Sequence, residues 1–479
     1  MKLAVVGTGY VGLVAAAGFC ELGHEVVCVD NDVPKLQKLR EGVMPFYEEY
    51  LKQLVRHHSG SRLTFSTDLA PAVRDSEVVF IAVGTPEGEN GEADLSYVEA
   101  VSREIATAIR SYKVIVEKST VPVYTNRWIR RSMLLNGAPP ELFEVVSNPE
   151  FLREGRAVVD FLYPDRILIG GDSERSISAV RSIYGKLEDG SYYRELRDIP
   201  APASFSGKVK IIETSTASAE LIKHASNAFL AMKISFINAV ANICEAAGAD
   251  VSEVAKGIGA DPRIGERFLQ PGIGYGGSCF PKDLKAFRAV AKEMGYEFRL
   301  LDEIASINEE QRARFLKKVR GAVWTLKGKK LGVLGLSFKA GTDDIRESPA
   351  IPIVRALLQE GCKVHIYDPV ARERGQSVFA ADRCVTFAAS AYEAATDADA
   401  LIVLTDWPEF SKLDLDAIRE ALKYHLIVDG RNMYDPEDVT AKGLAYVSMG
   451  RPDAFPENHP VALGSTQGRR NQALKIAVG

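Results

Sequence analysis

Four glycines within six residues, Gly272, Gly274, Gly276 and Gly277, lead to Cys279, with Lys282 and Asp283 just after it. Glycines at that density permit close backbone approach and dihedrals that other residues avoid. A thiol at a loop-to-helix junction beside a lysine suits a lowered pKa and nucleophilic chemistry. An isolated cysteine is more often a small buried hydrophobe, and that reading is kept for Cys20, Cys28, Cys244, Cys362 and Cys384. The six thiols show no CxxC pair. That argues against a disulfide framework or a metal site and fits a reducing cytoplasm.

A second chemistry lies at the start of the chain. Gly7, Gly9 and Gly12 stand in Gly-x-Gly-x-x-Gly spacing, and Asp30 follows Gly12 by 18 residues. Backbone N–H groups at such a turn can hold a pyrophosphate, and the acid can accept from a ribose 2′-hydroxyl while repelling a 2′-phosphate. NAD is therefore expected rather than NADP. The bland alternative is a tight turn that packs helix on sheet.

Three further groups are candidates. Glu150 and Glu154 are four residues apart and share a helical face if a helix starts after Pro149; acid–base work or steering of a water would follow. An exposed capping segment is the bland reading. Lys223 and Asn227 are also four apart, either a solvated surface pair or two donors aimed at a developing oxyanion. Thr85, in Val83-Gly84-Thr85-Pro86, and Thr120, in Lys118-Ser119-Thr120-Val121-Pro122, follow apolar runs, at the strand ends where α/β folds bind ligands.

These groups need a scaffold. Leu3–Val6, Glu25–Val29, Val78–Val83, Val114–Glu117 and Val145–Ser147 read as strands, with helical stretches such as Val98–Ile109 between them. Alternation of this kind predicts a mostly parallel, doubly wound sheet. Ser218–Ala247 reads as a long helix, with further helices at Val251–Ile258 and Asp283–Met294. At Lys329 the first pattern restarts: Leu331–Gly335 resembles Leu3–Gly7, and Gly361–Asp368 resembles Gly23–Asp30. Ser337 stands where the first half has Gly9, so a different, side-chain-based nucleotide geometry is expected there. The division is 1–212, 213–322 (helical, carrying the cysteine) and 323–455, with a tail over 456–479 expected to be partly disordered. The fold class is α/β, with two Rossmann-like domains joined by a helical centre.

Composition agrees. With 479 residues, 46% hydrophobic, 26% charged and net charge −5, the chain suits two to four soluble domains and makes no broad case for nucleic acid. No run of about 18 apolar residues is seen, so no membrane span is expected. The first residues read as mature structure rather than a signal peptide, because glycines interrupt the apolar run.

Taken in order, Gly7–Gly12, Lys118–Pro122, Asn148–Gly155, Ser218–Asn238, Gly272–Asp283, Phe338–Ser348 and Asp429–Asn432 resemble the nucleotide-sugar 6-dehydrogenases, over about residues 1–451. The resemblance implies NAD-dependent four-electron oxidation of a sugar C6 alcohol to a carboxylate. It makes Cys279 the nucleophile, with a thiohemiacetal and then a thioester on its sulfur. Lys223 and Asn227 match the oxyanion pair, Asp283 the acid–base carboxylate, Thr120 a water-binding threonine, and Glu150 and Glu154 the site glutamates. The implied cofactor contacts are Gly7, Gly9, Tyr10, Val11, Gly12, Asp30, Thr85, Thr120, Glu154, Lys282 and Arg346. The implied nucleotide-sugar contacts are Phe151, Leu152, Lys223, Asn227, Phe268, Leu269, Gly276, Phe338, Lys339 and Arg431, with Arg263 matching an arginine that reaches the sugar site of a partner subunit. The long helix resembles a homodimer-forming connection. Phe280 is similar to the UDP-glucose branch rather than the GDP-mannose branch; UDP-N-acetylhexosamines and a non-catalytic nucleotide-binding relative are the alternatives. Three positions depart from the family pattern: Tyr124 where glycine is usual, Ala340-Gly341 where Pro-Asn is common, and Asp406 where glutamate is usual.

Overall fold

The computed structural model describes residues 1–88, 92–195 and 198–457. They divide into two compact units, Met1–Ala228 with Lys282–Phe298, and Phe229–Pro281 with the described residues from Arg299 on. The helical middle section is shared between both units.

The first unit is built on β1 (Lys2–Val6), β2 (Glu25–Val29), β3 (Leu63–Ser66), β4 (Val78–Ile81), β5 (Lys113–Glu117), β6 (Phe143–Ser147), β7 (Arg166–Gly170) and β8 (Lys210–Thr214). Their order is β3-β2-β1-β4-β5-β6-β7-β8. Alternate residues of β1 enter different cores. Leu3 and Val5 pack with Leu13, Phe19 and Phe80, while Ala4 and Val6 pack with Val79, Ile81 and Ile105. Burial on both faces is why these strands read as unbroken apolar runs. β7 meets β6 antiparallel through Ser147 and Gly170, and β8 runs parallel to β7; this extension was not anticipated.

The second unit carries β9 (Lys330–Leu334), β10 (Lys363–Tyr367), β11 (Val385–Phe387), β12 (Ala400–Val403), β13 (Leu426–Asp429) and β14 (Ala445–Ser448). All pairings are parallel, in the order β11-β10-β9-β12-β13-β14. In both sheets the order reverses beside the first strand, and ligand crevices form at the carboxyl ends there.

The long helix spans Thr216–Ala247. By length and composition alone it is apolar enough to cross a membrane. It carries Glu220, Lys223, His224 and Asn227, all buried and hydrogen-bonded within the protein, as a core helix does. Further helices are Val251–Gly259, Phe280–Glu293, which starts directly after Cys279, and Arg299–Val323.

Two expectations fail. No helix starts after Pro149, and the next one is Ala157–Leu162. Gly155 takes φ +85°, which ends any helical run. Glu48 receives the Gly155 and Ala157 N–H groups, both at 2.7 Å. Cys384 is exposed ahead of edge strand β11, whereas Cys20, Cys28, Cys244 and Cys362 are buried as expected. The expected tail lies, from residue 458 on, outside the described residues.

Candidate active site

The turn after β1 leads into the helix Tyr10–Glu21. Gly9 is its N-cap, with no side-chain cap, and a Cβ there would meet nothing within 4 Å. Gly12 packs so closely beneath the turn that a Cβ would lie 2.0 Å from the Gly7 carbonyl oxygen. Gly9 thus leaves open space at the helix N-terminus, which fits the pyrophosphate of a dinucleotide. Asp30 directly follows β2 and is held by several partners. Its Oδ2 accepts from the Thr8 N–H at 2.8 Å and the Thr8 hydroxyl at 2.6 Å, and lies 2.6 Å from Lys35 Nζ. Burial pushes this carboxyl up, but Lys35 and Thr8 together outweigh it and hold the acid below its usual range.

Sequence reasoning missed Glu48. Its carboxylate accepts from the Tyr10 hydroxyl, and that hydroxyl in turn accepts from the Gly155 N–H at 2.8 Å. Burial and Glu48 keep the Tyr10 phenol protonated. Glu48 thereby ties the glycine turn to the segment that carries Glu154. No local pattern signals this, because the partners are 107 residues apart.

The ends of β4, β5 and β6 bring most remaining candidates of this unit together. Thr85 donates to the Thr120 carbonyl at 2.9 Å and accepts from Lys282 Nζ at 3.0 Å. Lys223 and Glu150 are buried and paired, Nζ to Oε1 at 2.8 Å. Glu150 Oε2 also accepts the Leu152 N–H at 2.5 Å. Burial pushes the Glu150 carboxyl up, but the Lys223 ammonium more than offsets this and holds it low. The Phe151 ring has two cations near it, the Arg166 guanidinium at 3.8 Å and Lys223 Nζ at 5.5 Å from its centroid. Asn227 donates to Asp283 Oδ2 at 2.5 Å. Asp283 Oδ1 is buried with no hydrogen bond and has Lys282 Nζ 3.5 Å away. The surface-pair reading of Lys223 and Asn227 is therefore excluded.

In the second unit the glycine-rich loop packs on its own sheet domain. Gly277 takes φ +85°, donates its N–H to the Arg346 carbonyl at 3.0 Å, and would set a Cβ 2.7 Å from the Phe338 ring. Close packing therefore accounts for part of the glycine density. Cys279 is partly exposed, with Sγ 3.7 Å from Ser278 Oγ. Arg431 donates to the carbonyls of Leu404 (2.9 Å), Gly274 (3.0 Å) and Phe338 (3.1 Å), so it clamps the loops that carry Gly276 and Phe338. Lys339 Nζ lies 5.7 Å from the Phe338 ring, and Arg346 forks onto Asp344. Leu269 is buried, Phe268 takes φ +67°, and exposed Arg263 pairs with Asp261. Asp368 does for this half what Asp30 does for the first: its Oδ2 accepts the Leu336 N–H and both Ser337 donors.

The departures from the family pattern also have structural counterparts. Tyr124 takes φ +75°, a conformation that favours glycine. Glu220 accepts its N–H at 2.7 Å, and Arg127 covers its ring at 4.5 Å. Ala340, unlike proline, has an N–H, which it donates to Asp406 at 3.2 Å.

Comparison with known proteins agrees with this layout. Three models of the UDP-glucose/GDP-mannose dehydrogenase family match in order: the NAD binding domain over residues 1–188, the central domain over 217–310 and the UDP binding domain over 332–436. The chain is 43% identical over 452 residues to the UDP-glucose 6-dehydrogenase TuaD of Bacillus subtilis (strain 168), covering 94% of this chain and 93% of that protein. It is 44% identical over 456 residues to the UDP-glucose 6-dehydrogenase of Rhizobium meliloti (strain 1021), covering 95% and 100%. Among solved structures, a UDP-glucose dehydrogenase from the archaeon Pyrobaculum islandicum matches with TM-score 0.79 and 36% identity, over 90% of this chain and 94% of the other. A UDP-D-ManNAc dehydrogenase from Pyrococcus horikoshii matches with TM-score 0.78 and 27% identity, over 94% and 99%. With three family models matching in order and 43–44% identity to these relatives over 94–95% of its length, the chain belongs to the UDP-glucose/GDP-mannose dehydrogenase family.

Proposed function

We propose that this protein oxidises UDP-glucose to UDP-glucuronate, with Cys279 as covalent nucleophile. NAD⁺, when bound, accepts a hydride at each of the two oxidation steps. Residues 1–212 are assigned to holding it, 323–455 to holding the nucleotide-sugar, and 213–322 to the cysteine. The observation that carries the chemistry is the Asn227–Asp283 pair. One carboxylate oxygen is fixed by the amide, and the other is buried without a hydrogen bond, ready to take the proton of the C6 hydroxyl. The Cys279 sulfur then adds to the aldehyde carbon as its S–H proton passes to solvent. Lys223 and Asn227 donate to the resulting oxyanion, and the thiohemiacetal carbon can again give up hydride. The product of the second oxidation is a thioester on Cys279. Water, positioned by Thr120 together with Glu150 and Glu154, releases the acid and restores the thiol.

UDP-glucose is favoured over other sugars by the 43–44% identities to proteins named UDP-glucose 6-dehydrogenase. The test is steady-state turnover of UDP-glucose, GDP-mannose, UDP-N-acetylglucosamine and UDP-N-acetylmannosamine, counting NADH per sugar acid. The expected result is two NADH per acid, with kcat/KM highest for UDP-glucose by more than about tenfold, or about 1.4 kcal/mol. Better turnover of another sugar refutes the assignment.

The enzyme is further assigned as a cytoplasmic homodimer supplying uronic acid for polysaccharide biosynthesis. Supporting the dimer, Leu221, Phe229, Phe236 and Ile243 are 42%, 58%, 54% and 67% exposed along the long helix. Spacings of seven or eight keep them on one stripe. Phe236→Asp should convert a dimer to a monomer in sedimentation; a wild-type monomer would refute the assignment.

A further inference from the structure

β5 ends in Glu117, and the next residue, Lys118, is buried. Its Nζ donates to the Asn148 carbonyl at 3.2 Å and to Asn148 Oδ1 at 3.1 Å. Asn148 is tied on every side. Its N–H donates to the Glu117 carbonyl at 2.8 Å, its Nδ2 to the Leu168 carbonyl at 2.7 Å, and its Oδ1 also accepts from the Tyr184 hydroxyl at 2.6 Å. Two residues further on, Glu150 holds Lys223 at 2.8 Å.

A buried ammonium is costly unless its charge is compensated. Both hydrogen-bond acceptors of Lys118 belong to one neutral residue, so its charge is not cancelled by a carboxylate in direct contact. Burial pulls the Lys118 ammonium down to about 8; Glu150 and Glu117 favour the charged form, and Lys223 opposes it. Lys118 in turn helps hold the Glu150 carboxyl low, after Lys223 and the Leu152 N–H.

We propose that Lys118 is a positioning residue for the oxidation. Through Asn148 it fixes the turn that carries Glu150, and its charge supports the Glu150 carboxylate that holds Lys223 in place. This rests on Glu150 and Lys223 being site residues.

The test compares Lys118→Met, Lys118→Gln, Glu150→Gln and the Lys118→Met/Glu150→Gln double variant. The readouts are kcat, KM for both substrates, the pH profile of kcat and thermal stability. Lys118→Met should lower kcat at least about tenfold, change either KM less than about threefold, and move the acid limb of kcat to higher pH as Glu150 protonates more readily. In the Glu150→Gln background the same substitution should cost less than about twofold, because residues acting through one another are not additive. Losses that simply multiply, an unmoved acid limb, or wild-type kcat in Lys118→Met would overturn the inference. Recovery of both Lys118 variants only as unfolded protein would also overturn it, making Lys118 a folding residue. Wild-type kcat in Glu150→Gln alone would instead refute the reading of the site.

Discussion

Replacing Lys223 by alanine separates catalysis from stability, because the structure predicts a different size and remedy for each. Lys223 and Glu150 are paired at 2.8 Å, with both side chains 5% exposed. Removing one partner of such a pair leaves an uncompensated buried charge, at a cost of about 3–5 kcal/mol. The Leu152 N–H and Lys118 remain to Glu150, so the lower end is expected. The rate should fall separately. One lost oxyanion donor costs about 10²–10³ in kcat, or about 2.7–4 kcal/mol, with KM little changed. Adding Glu150→Gln removes the stranded carboxylate and should recover most of the stability but none of the rate. Urea unfolding reads the first quantity, and initial rates of NADH formation at saturating substrates read the second. Wild-type kcat in Lys223→Ala would refute the oxyanion role. Recovery of kcat in the double variant would show that Lys223 acts only by neutralising Glu150.

Cys279→Ser should abolish the trapped acyl-enzyme and lower turnover at least about a thousandfold, because an alcohol is a far weaker nucleophile and leaving group than a thiol; near-normal formation of the sugar acid would refute the covalent scheme. Asp30→Ala should raise KM for NAD⁺ about tenfold, or about 1.4 kcal/mol, and leave KM for the nucleotide-sugar unchanged; equal losses would mean that the halves are misassigned. Glu220 makes a pH prediction. Burial pushes its carboxyl from 4.5 up to about 7, while it accepts the N–H groups of Tyr124 and Asn126. The native state keeps this proton where the unfolded chain has lost it, so stability should fall by about 3 kcal/mol as pH rises from about 4.5 to about 7 and be level in this respect above that. Glu220→Gln has no proton to lose, and unfolding curves of the variant with an unchanged slope would refute the assignment.

The parts of the molecule legible in its sequence are those written locally. The apolar runs of β1, β4 and β5 are buried on both faces, so each strand announces itself without help from distant residues. The glycine turn and Asp30 obey a fixed spacing because helix and strand lengths set it. The restart of the pattern at Lys329 is visible for the same reason, and it correctly implies a second parallel sheet.

What failed depends on partners far away in the chain. The spacing of Glu150 and Glu154 makes a shared helical face only if a helix starts after Pro149, and the next helix is Ala157–Leu162. The acceptor that organises their segment is Glu48, which no periodicity connects to Gly155. Spacing did place Lys223 and Asn227 on one face, yet it could not say whether that face meets water. Their partners Glu150 and Asp283 are 73 and 56 residues distant. Lys118 is the clearest instance. Its turn motif names no partner for it, and its acceptors are the carbonyl and amide oxygens of a residue 30 positions on. A pattern reports where a side chain sits in its own element. Whether a buried charge is tolerable depends on what the neighbouring strand brings to it, so the residues that tune this site are the ones a linear reading is least able to find.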